Sequence, residues 1–138
     1  MAGQPSTAGA NIMLDALNGR ATQTLRTTYL ALLTAAPNDA STMASMTELT
    51  VPATNGYARQ AVTWGAPAAD PSLASNTGLL TFGAFTADLG NVTHLALVTA
   101  VTGTAGVFLW YWTADVAKDP ANGDSITVAI GALTMSAD

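Results

Sequence analysis

The residues that could carry out acid–base chemistry are few in this chain. Of its 138 residues 9% are charged, and it has one histidine, His94, and no cysteine. His94 is the only candidate general base, and it would need a Ser or Thr nucleophile from elsewhere in the fold and an orienting carboxylate such as Asp88. No sequence signature supports that arrangement. We therefore expect His94 to be a hydrogen-bonding residue at a sheet edge or an interface, and we expect no enzymatic activity.

A second candidate is a metal site in the stretch DVAKDPANGD, which superficially resembles a calcium loop. Its possible ligands are Asp115, Asp119, Asn122 and Asp124. The stretch lacks the EF-hand spacing, which ends with a Glu at the twelfth position. Pro120 and the Asn-Gly pair at 122–123 favour a turn between strands instead. We expect neither a metal nor a cofactor.

Aromatic side chains form the third candidate site. They are Trp64, Trp110, Tyr111 and Trp112. In an uninterrupted strand Trp110 and Trp112 share a face with Phe108, and Tyr111 lies on the other face. Large aromatic residues in a β-protein more often belong to the core, so we predict core positions. A platform for sugars through Trp64 or Tyr111 is the alternative.

Charge and hydropathy exclude other classes of partner. The net charge is −5 and there are four Lys and Arg in total, too few for the basic patch that binds nucleic acid. No apolar run reaches about 18 residues, and the N-terminus lacks a signal-peptide pattern, so we expect no membrane association. A weakly charged surface rich in Ala and Thr costs little side-chain entropy to immobilise. This composition favours a surface covered by other proteins over one that binds a small-molecule substrate.

The length predicts one domain over residues 1–138. Met1–Gly9 is predicted to be an irregular arm. A short helix is predicted from an Asn11 cap to Asn18, followed by Gly19 as the left-handed residue. The connection from Ala35 to Gly56 is long for a compact domain.

The rest of the chain has strand patterns. Residues 27–34 form an apolar run that we expect to be buried on both faces, and Tyr57–Trp64 alternates. Val92–Val101 and Val107–Ala114 are predicted to pair as a hairpin, and 78–85 and 125–135 add further strands. These elements predict an all-β fold, an antiparallel β-sandwich of about six to eight strands with one short N-terminal helix. The predicted core is Val62, Leu80, Phe82, Phe108, Trp110, Trp112, Ile126, Val128 and Ile130.

The order of several motifs resembles a family of small tailed-phage virion proteins, which are often labelled phage tail fibre proteins and include capsid decoration proteins. The motifs are ANIMLDALNG (10–19), YLALLTAAPNDA (29–40), NGYARQAVTW (55–64), SNTGLLTF (75–82), ADLGNVTHLALV (87–98) and NGDSITVAIGALTM (122–135). NGYARQAVTW is the most specific of them. The chain departs from the family pattern at Leu89, where a Trp is expected, and in the insertion 41–52.

The resemblance implies a structural virion protein. We expect a capsid decoration protein on the outside of the shell, because packaged DNA repels an acidic protein and no fibre shaft or repeat is present. Its expected partners are the major capsid protein and copies of itself, as a trimer at local threefold positions. The alternative is a tail or tail-fibre component that binds a host-surface carbohydrate.

We expect two segments to carry most contacts to neighbouring subunits, namely residues 1–25 and 35–56, because both are weakly charged and irregular. The candidate interface residues are Pro5, Ile12, Met13, Leu17, Leu25, Met43, Met46 and Leu49.

Overall fold

The computed structural model of the chain describes residues 1–22, 24, 26–50, 53–68 and 72–136. Its regular elements are β1 Gly3–Pro5, α1 Thr7–Leu17, β2 Thr28–Leu33, β3 Gln60–Val62, β4 Leu73–Ser75, β5 Leu80–Gly83, β6 Val92–Val98, β7 Phe108–Lys118, β8 Ser125–Val128 and β9 Thr134–Ser136. All the strand pairs are antiparallel. The predicted class, all-β with one short N-terminal helix, is confirmed.

Five strands form the larger sheet, in the order β1-β7-β6-β2-β3. The predicted hairpin is confirmed as β6 and β7, which are paired from Leu95 opposite Trp112 to Val98 opposite Phe108. In β2 the residues from Leu30 to Leu33 are all buried, as the run of apolar residues predicted. Both faces of β2 are covered, because one faces the second layer and the other faces the long connection.

The second layer consists of two short ribbons, β4 with β9 and β5 with β8. Asn76 lies between them and is almost fully buried. Its amide nitrogen donates to the carbonyls of Gly78 and Ala129, both at 2.9 Å, and its amide oxygen accepts from the Leu133 amide at 2.9 Å. These bonds replace ladder pairing where the register changes. Each long strand of the layer is therefore broken in two, which accounts for nine strands among the described residues where about six to eight were predicted.

Most of the predicted core residues lie between the two layers. They are Val62, Leu80, Phe82, Trp110, Trp112 and Val128, all buried, with Ile126 partly buried against them. The prediction for Ile130 is wrong, because its side chain is 66% exposed. Alternation across 125–135 assumed one continuous strand, whereas β8 ends at Val128 and Ile130 lies in the following turn.

Phe108 is buried, but on the opposite face of the sheet from Trp110. Leu97 lies opposite Trp110 and Val98 lies opposite Phe108, so Leu109 is the extra residue of a β-bulge. A bulge reverses the inside–outside alternation beyond it. The predicted shared face of Phe108 with the tryptophans is therefore wrong.

The N-terminal segment is not an arm. β1 pairs with β7 from Gly3 opposite Trp112 to Pro5 opposite Trp110. The helix cap is Ser6, whose hydroxyl accepts from the Gly9 amide at 3.0 Å, so the predicted Asn11 cap is wrong. The helix does end at Asn18, as predicted. In the described part of the chain no helix has the length and hydropathy needed to cross a bilayer.

Candidate functional site

His94 lies on β6, opposite Thr113 on β7 and Leu33 on β2. Its Nδ1 is 2.9 Å from the Thr93 hydroxyl, and partial burial lowers the pKa of the imidazole. The Asp88 carboxylate accepts from the Asn122 amide at 2.9 Å, so it fixes a turn. The structure gives His94 and Asp88 separate local partners and does not join them into an acid–base pair.

The acidic stretch 115–124 forms the end of β7 and the turn into β8. Asp124 closes that turn, because its carboxylate accepts from the Ala121 amide at 3.0 Å. Asp115 and Asp119 are exposed. Among the described residues, no three His, Asp or Glu side chains come close enough to hold a metal ion.

The tryptophans belong to one packed group. Trp64 stacks on Trp112 with ring centroids 6.2 Å apart, and its indole N–H donates to the Thr28 hydroxyl at 3.1 Å. The Trp112 indole donates to the Thr134 carbonyl at 2.8 Å. Gly3 of β1 crosses the indole edges of Trp110 and Trp112 so closely that a Cβ there would collide with both.

Tyr111 lies on the other face of β7, as predicted. Its hydroxyl donates to the Asp39 carboxylate at 2.6 Å. This hydrogen bond, with smaller effects of burial and of the negative charge, raises the pKa of Tyr111 to about 12. The contact ties the long connection to the sheet, so it has a structural explanation that requires no ligand.

A buried ion pair holds the long connection in place. Arg59 lies in the predicted strand Tyr57–Trp64 and Glu48 lies in the long connection. The sequence did not indicate that the two residues pair. Arg59 binds the Glu48 carboxylate through two bonds, from Nε at 2.8 Å and from Nη2 at 2.7 Å. The guanidinium also donates to the carbonyls of Ala100 at 2.9 Å and Gly103 at 3.0 Å. Arg59 therefore joins the connection to the β6–β7 loop.

Tyr57 completes this cluster. Its hydroxyl donates to Glu48 at 2.7 Å and accepts from the Leu32 amide at 3.0 Å. Burial, followed by the Glu48 charge, raises the pKa of Tyr57 well above its usual value. Burial alone would lower the pKa of Arg59, but its bonds to Glu48 raise it overall, so the guanidinium stays charged. The motif NGYARQ (55–60) thus has a structural basis, since its Tyr and Arg bind one carboxylate.

The predicted interface residues of the long connection pack against their own sheet. Met43 and Leu49 are buried, and Met46 packs against the same group of residues as Met43. Pro5 is half-buried in the ladder of β1 with β7. Leu25 lies outside the described residues. Among the predicted interface residues that the structure describes, Met13 and Leu17 of α1 are the exposed ones.

Helix α1 exposes an apolar outer face. Met13 is 37% exposed, Leu14 58% and Leu17 83%, whereas Gly9 is the only fully buried residue of the helix. Beside the helix is an open apolar groove of about 580 Å³. Its walls are Ile12 and Met13 of α1, Leu109 and Trp110 of β7, and Trp64, Pro67 and Met135, and Arg26 is the single charged residue in the described part of the lining. Met13 belongs both to the exposed face and to the wall of the groove, and we call the two together the helix face.

Comparison with known proteins gives a match over nearly the whole chain. Residues 4–136 match the family described as "Podophage GP4 fiber I protein gp80". The chain belongs to this family. The gp80 family is a family of phage structural proteins, so the predicted resemblance to small virion proteins is confirmed. No curated protein matches the chain.

Proposed function

We propose that this gp80-family protein is a non-catalytic structural subunit on the outside of the virion, attached to its neighbours through the helix face. The observation that carries the proposal is the row Met13, Leu14 and Leu17, exposed beside an apolar groove on a chain of a phage fibre family. Contiguous apolar surface of this kind marks sites of protein contact. The described lining of the groove is mostly apolar, which suits apolar side chains of a protein partner.

The use of the polar side chains supports a non-catalytic role. Arg59, Glu48 and Tyr57 bind one another in the interior, and Asp39, Asp88 and Asp124 bind the backbone or a neighbouring hydroxyl. His94 contacts only Thr93 among the described hydrogen bonds. Nucleophilic catalysis also needs a third group that orients the base, and among the described hydrogen bonds no such group contacts His94. The other groups hold loops and turns in place.

For the location we propose first a fibre-type appendage, because the family description names a fibre protein. A capsid decoration protein is the second candidate. It is favoured by the net charge of −5, which suits a position away from packaged DNA. As a decoration protein, the chain would contact the major capsid protein and would form a trimer with copies of itself.

The helix face is tested by Leu17→Asp, with Leu79→Asp as the matched control. Both leucines are largely exposed, at 83% and 61%, so Leu79→Asp should alter the free energy of unfolding by no more than about 0.5 kcal/mol. Leu17→Asp should cost about 1 kcal/mol, because it places a negative charge in the last turn of α1, and thermal unfolding checks that it stays folded. We expect Leu17→Asp alone to lower incorporation into virions, as measured by quantitative mass spectrometry of purified particles. Equal incorporation of both variants would contradict attachment through the helix face.

The same measurement on the natural protein separates the two locations. A fibre subunit should be present in tens of copies per particle at most. A decoration protein should be present in hundreds, in proportion to the major capsid protein.

A further inference from the structure

Asparagine followed by glycine occurs three times in the chain, at 18–19, 55–56 and 122–123. Asparagine is among the chemically labile residues of proteins, because the backbone nitrogen of the next residue can attack its side-chain amide. Glycine allows this attack most readily, since it has no Cβ to obstruct the nitrogen. The reaction in a folded protein depends on the local backbone, and the structure places the three pairs in different settings.

Asn18 ends helix α1 with its side chain folded over Gly19. The Arg20 amide donates to Asn18 Oδ1 at 3.1 Å, and this bond closes an Asx turn around Gly19. The turn brings Asn18 Cγ beside the Gly19 nitrogen. Both residues are exposed to water, and the Gly19 amide has no acceptor among the described hydrogen bonds. The attacking atom and its target are therefore adjacent and accessible.

Closing a ring between Asn18 and Gly19 requires little unfolding. The peptide plane between them must rotate from the helical ψ of 5° at Asn18. The described backbone bonds that oppose this rotation run from the Arg20 and Ala21 amides to the Asp15 carbonyl, at 3.0 and 3.4 Å. They lie at the exposed end of an 11-residue helix, where local opening costs much less free energy than in the core. The pair therefore reaches the reactive geometry by fraying of the last turn.

The pair at 122–123 is locked by hydrogen bonds on both residues. The Gly123 amide donates to the Phe85 carbonyl at 2.8 Å, so the attacking nitrogen is already engaged. The Asn122 amide donates to the Asp88 carboxylate at 2.9 Å, which fixes the peptide on the other side. Both bonds must open before a ring can close at this site.

The pair at 55–56 is held by packing as well as by a hydrogen bond. The Asn55 carbonyl accepts from the Thr86 amide at 3.0 Å. Gly56 lies so close to the Ala84 carbonyl that a Cβ on it would collide with that oxygen. These contacts oppose rotation of the peptide plane between the two residues. Of the three pairs, the one at the end of α1 is therefore the reactive one.

We propose that Asn18 is a site of spontaneous deamidation in the free protein, and that its conversion weakens attachment through the helix face. The Gly19 nitrogen, on losing its proton to water, attacks Cγ of Asn18. The bond from Cγ to Nδ2 breaks, and Nδ2 takes up a proton and leaves as ammonia. A water molecule then opens the cyclic imide at either carbonyl, which gives aspartate or isoaspartate.

The product changes the edge of the helix face. Deamidation adds a negative charge at the C-terminal cap of α1, where the helix dipole disfavours it. Isoaspartate also adds a methylene to the backbone. Asn18 directly follows Leu17, which at 83% exposed is the most exposed apolar residue of the helix face. The effect on attachment rests on the proposed function, whereas the chemistry at Asn18 does not depend on it.

Peptide mass spectrometry of the natural protein, incubated free in solution, tests the chemistry. Conversion at Asn18 should be at least about tenfold faster than at Asn122 or Asn55, because hydrogen bonds must open first at those two sites. The rate should rise with pH, since the attacking nitrogen must lose its proton. Asn38 is an internal control. Its Oδ1 accepts from the Ala40 amide at 3.0 Å in a similar turn, but an aspartate follows it instead of a glycine, so it should remain intact.

The same measurement in urea shows whether the fold causes the selectivity. In the unfolded chain all three Asn-Gly pairs should convert at similar rates. Labelling by an isoaspartyl methyltransferase confirms the isoaspartate product. No conversion at Asn18, or equal rates at Asn18 and Asn122 in the folded protein, would overturn the proposal. A preference for Asn18 that persisted in urea would also overturn it, because the end of α1 would not be the cause.

Asn18→Asp represents the product in an assay of attachment, with Asn91→Asp as the matched control. Asn91 is exposed in the loop before β6, so both variants add one negative charge to the surface. In competition with the natural protein, Asn18→Asp should enter virions at least about fivefold less, because a partner of the helix face must bury or displace the new carboxylate. Asn91→Asp should enter as well as the natural protein. Thermal unfolding of both variants checks that each is folded.

The outcomes separate this proposal from the proposed function. If Asn18→Asp enters virions as well as Asn91→Asp while Leu17→Asp does not, the effect of deamidation on attachment is refuted and the helix face stands as the contact. If neither Asn18→Asp nor Leu17→Asp is impaired, attachment through the helix face is refuted as well. Conversion at Asn18 that is slower within virions than in the free protein supports both, since a covering partner excludes water and restrains the last turn.

Discussion

Replacing Glu48 by Gln should destabilise the protein strongly, although the two side chains have nearly the same shape. The side chains of Arg59 and Glu48 are 1% and 12% exposed. The carboxylate accepts two bonds from Arg59 and one from Tyr57. The amide nitrogen of Gln cannot accept any of these bonds, and the Arg59 charge loses its counterion inside the protein.

Removing one partner of a buried ion pair costs about 3–5 kcal/mol. This is a large part of the roughly 5–15 kcal/mol that typically stabilises a domain. With an unfolding entropy of about 2.1 cal/mol/K per residue, a 138-residue chain should lose about 10–17 °C of Tm. Circular dichroism at one protein concentration measures this shift, because a fixed concentration removes any effect of association.

Asp15→Asn is the matched control, since it also changes a carboxylate paired with an arginine into an amide. Asp15 and Arg20 are 3.6 Å apart, and their side chains are 42% and 77% exposed. Exposed pairs contribute at most about 1 kcal/mol, so Tm should fall by about 3 °C or less. The double variant Glu48→Leu with Arg59→Met removes both charges, but it leaves the Tyr57 hydroxyl without its acceptor and two carbonyls without the Arg59 donor. It should therefore recover only part of the loss. If Glu48→Gln lowered Tm no more than Asp15→Asn, the ion pair would not be what holds the long connection.

Two further predictions concern the helix and Tyr111. Gly9→Ala should lower Tm, because the added Cβ would collide with the Leu109 carbonyl. In an exposed helix the same change would stabilise by up to about 1 kcal/mol. A gain in Tm would therefore refute the close packing of α1 on β7. Asp39→Asn should lower the pKa of Tyr111 from about 12 toward 10.0, as followed by phenolate absorbance, whereas Asp88→Asn should leave it unchanged. The raised pKa means that folded Tyr111 holds its proton more tightly than unfolded Tyr111 does. Its contribution to stability is therefore present below about pH 10 and is lost as the pH rises toward 12. If the free energy of unfolding of Asp39→Asn fell with rising pH as much as that of the natural protein, the hydrogen bond to Asp39 would not be the cause of the raised pKa.

Local patterns in the sequence were sufficient for the elements that depend on nearest neighbours. The apolar run of β2 predicted burial on both faces, and the two long apolar segments around a glycine-containing loop predicted the β6–β7 hairpin. The Asn18-Gly19 end of the helix followed from the left-handed backbone that Gly19 adopts, with φ of 71°. The candidate sites are less predictable, because each depends on which groups meet across the fold.

The long connection illustrates that limit. Its methionines and leucine were predicted to face partners, since the sequence offers no sign of what covers them. Met43 and Leu49 pack on the sheet because Glu48 reaches Arg59 and places the connection there. An isolated Glu and an isolated Arg look the same in the sequence whether they lie on the surface or form a pair in the interior.

The sequence by itself determined the fold class, the hairpin, most of the core and the membership of a phage structural family, because these depend on alternation, apolar content and motifs along the chain. The tertiary structure decided the face on which Phe108 lies, the exposure of Ile130, the pairing of Arg59 with Glu48 and the outward direction of the helix face. A bulge or a break in a strand shifts the alternation by one residue, and hydrogen bonds to distant residues set where it occurs. Asn76 shows the reason most directly, since its side chain replaces the ladder between segments that are 53 and 57 residues away in the chain.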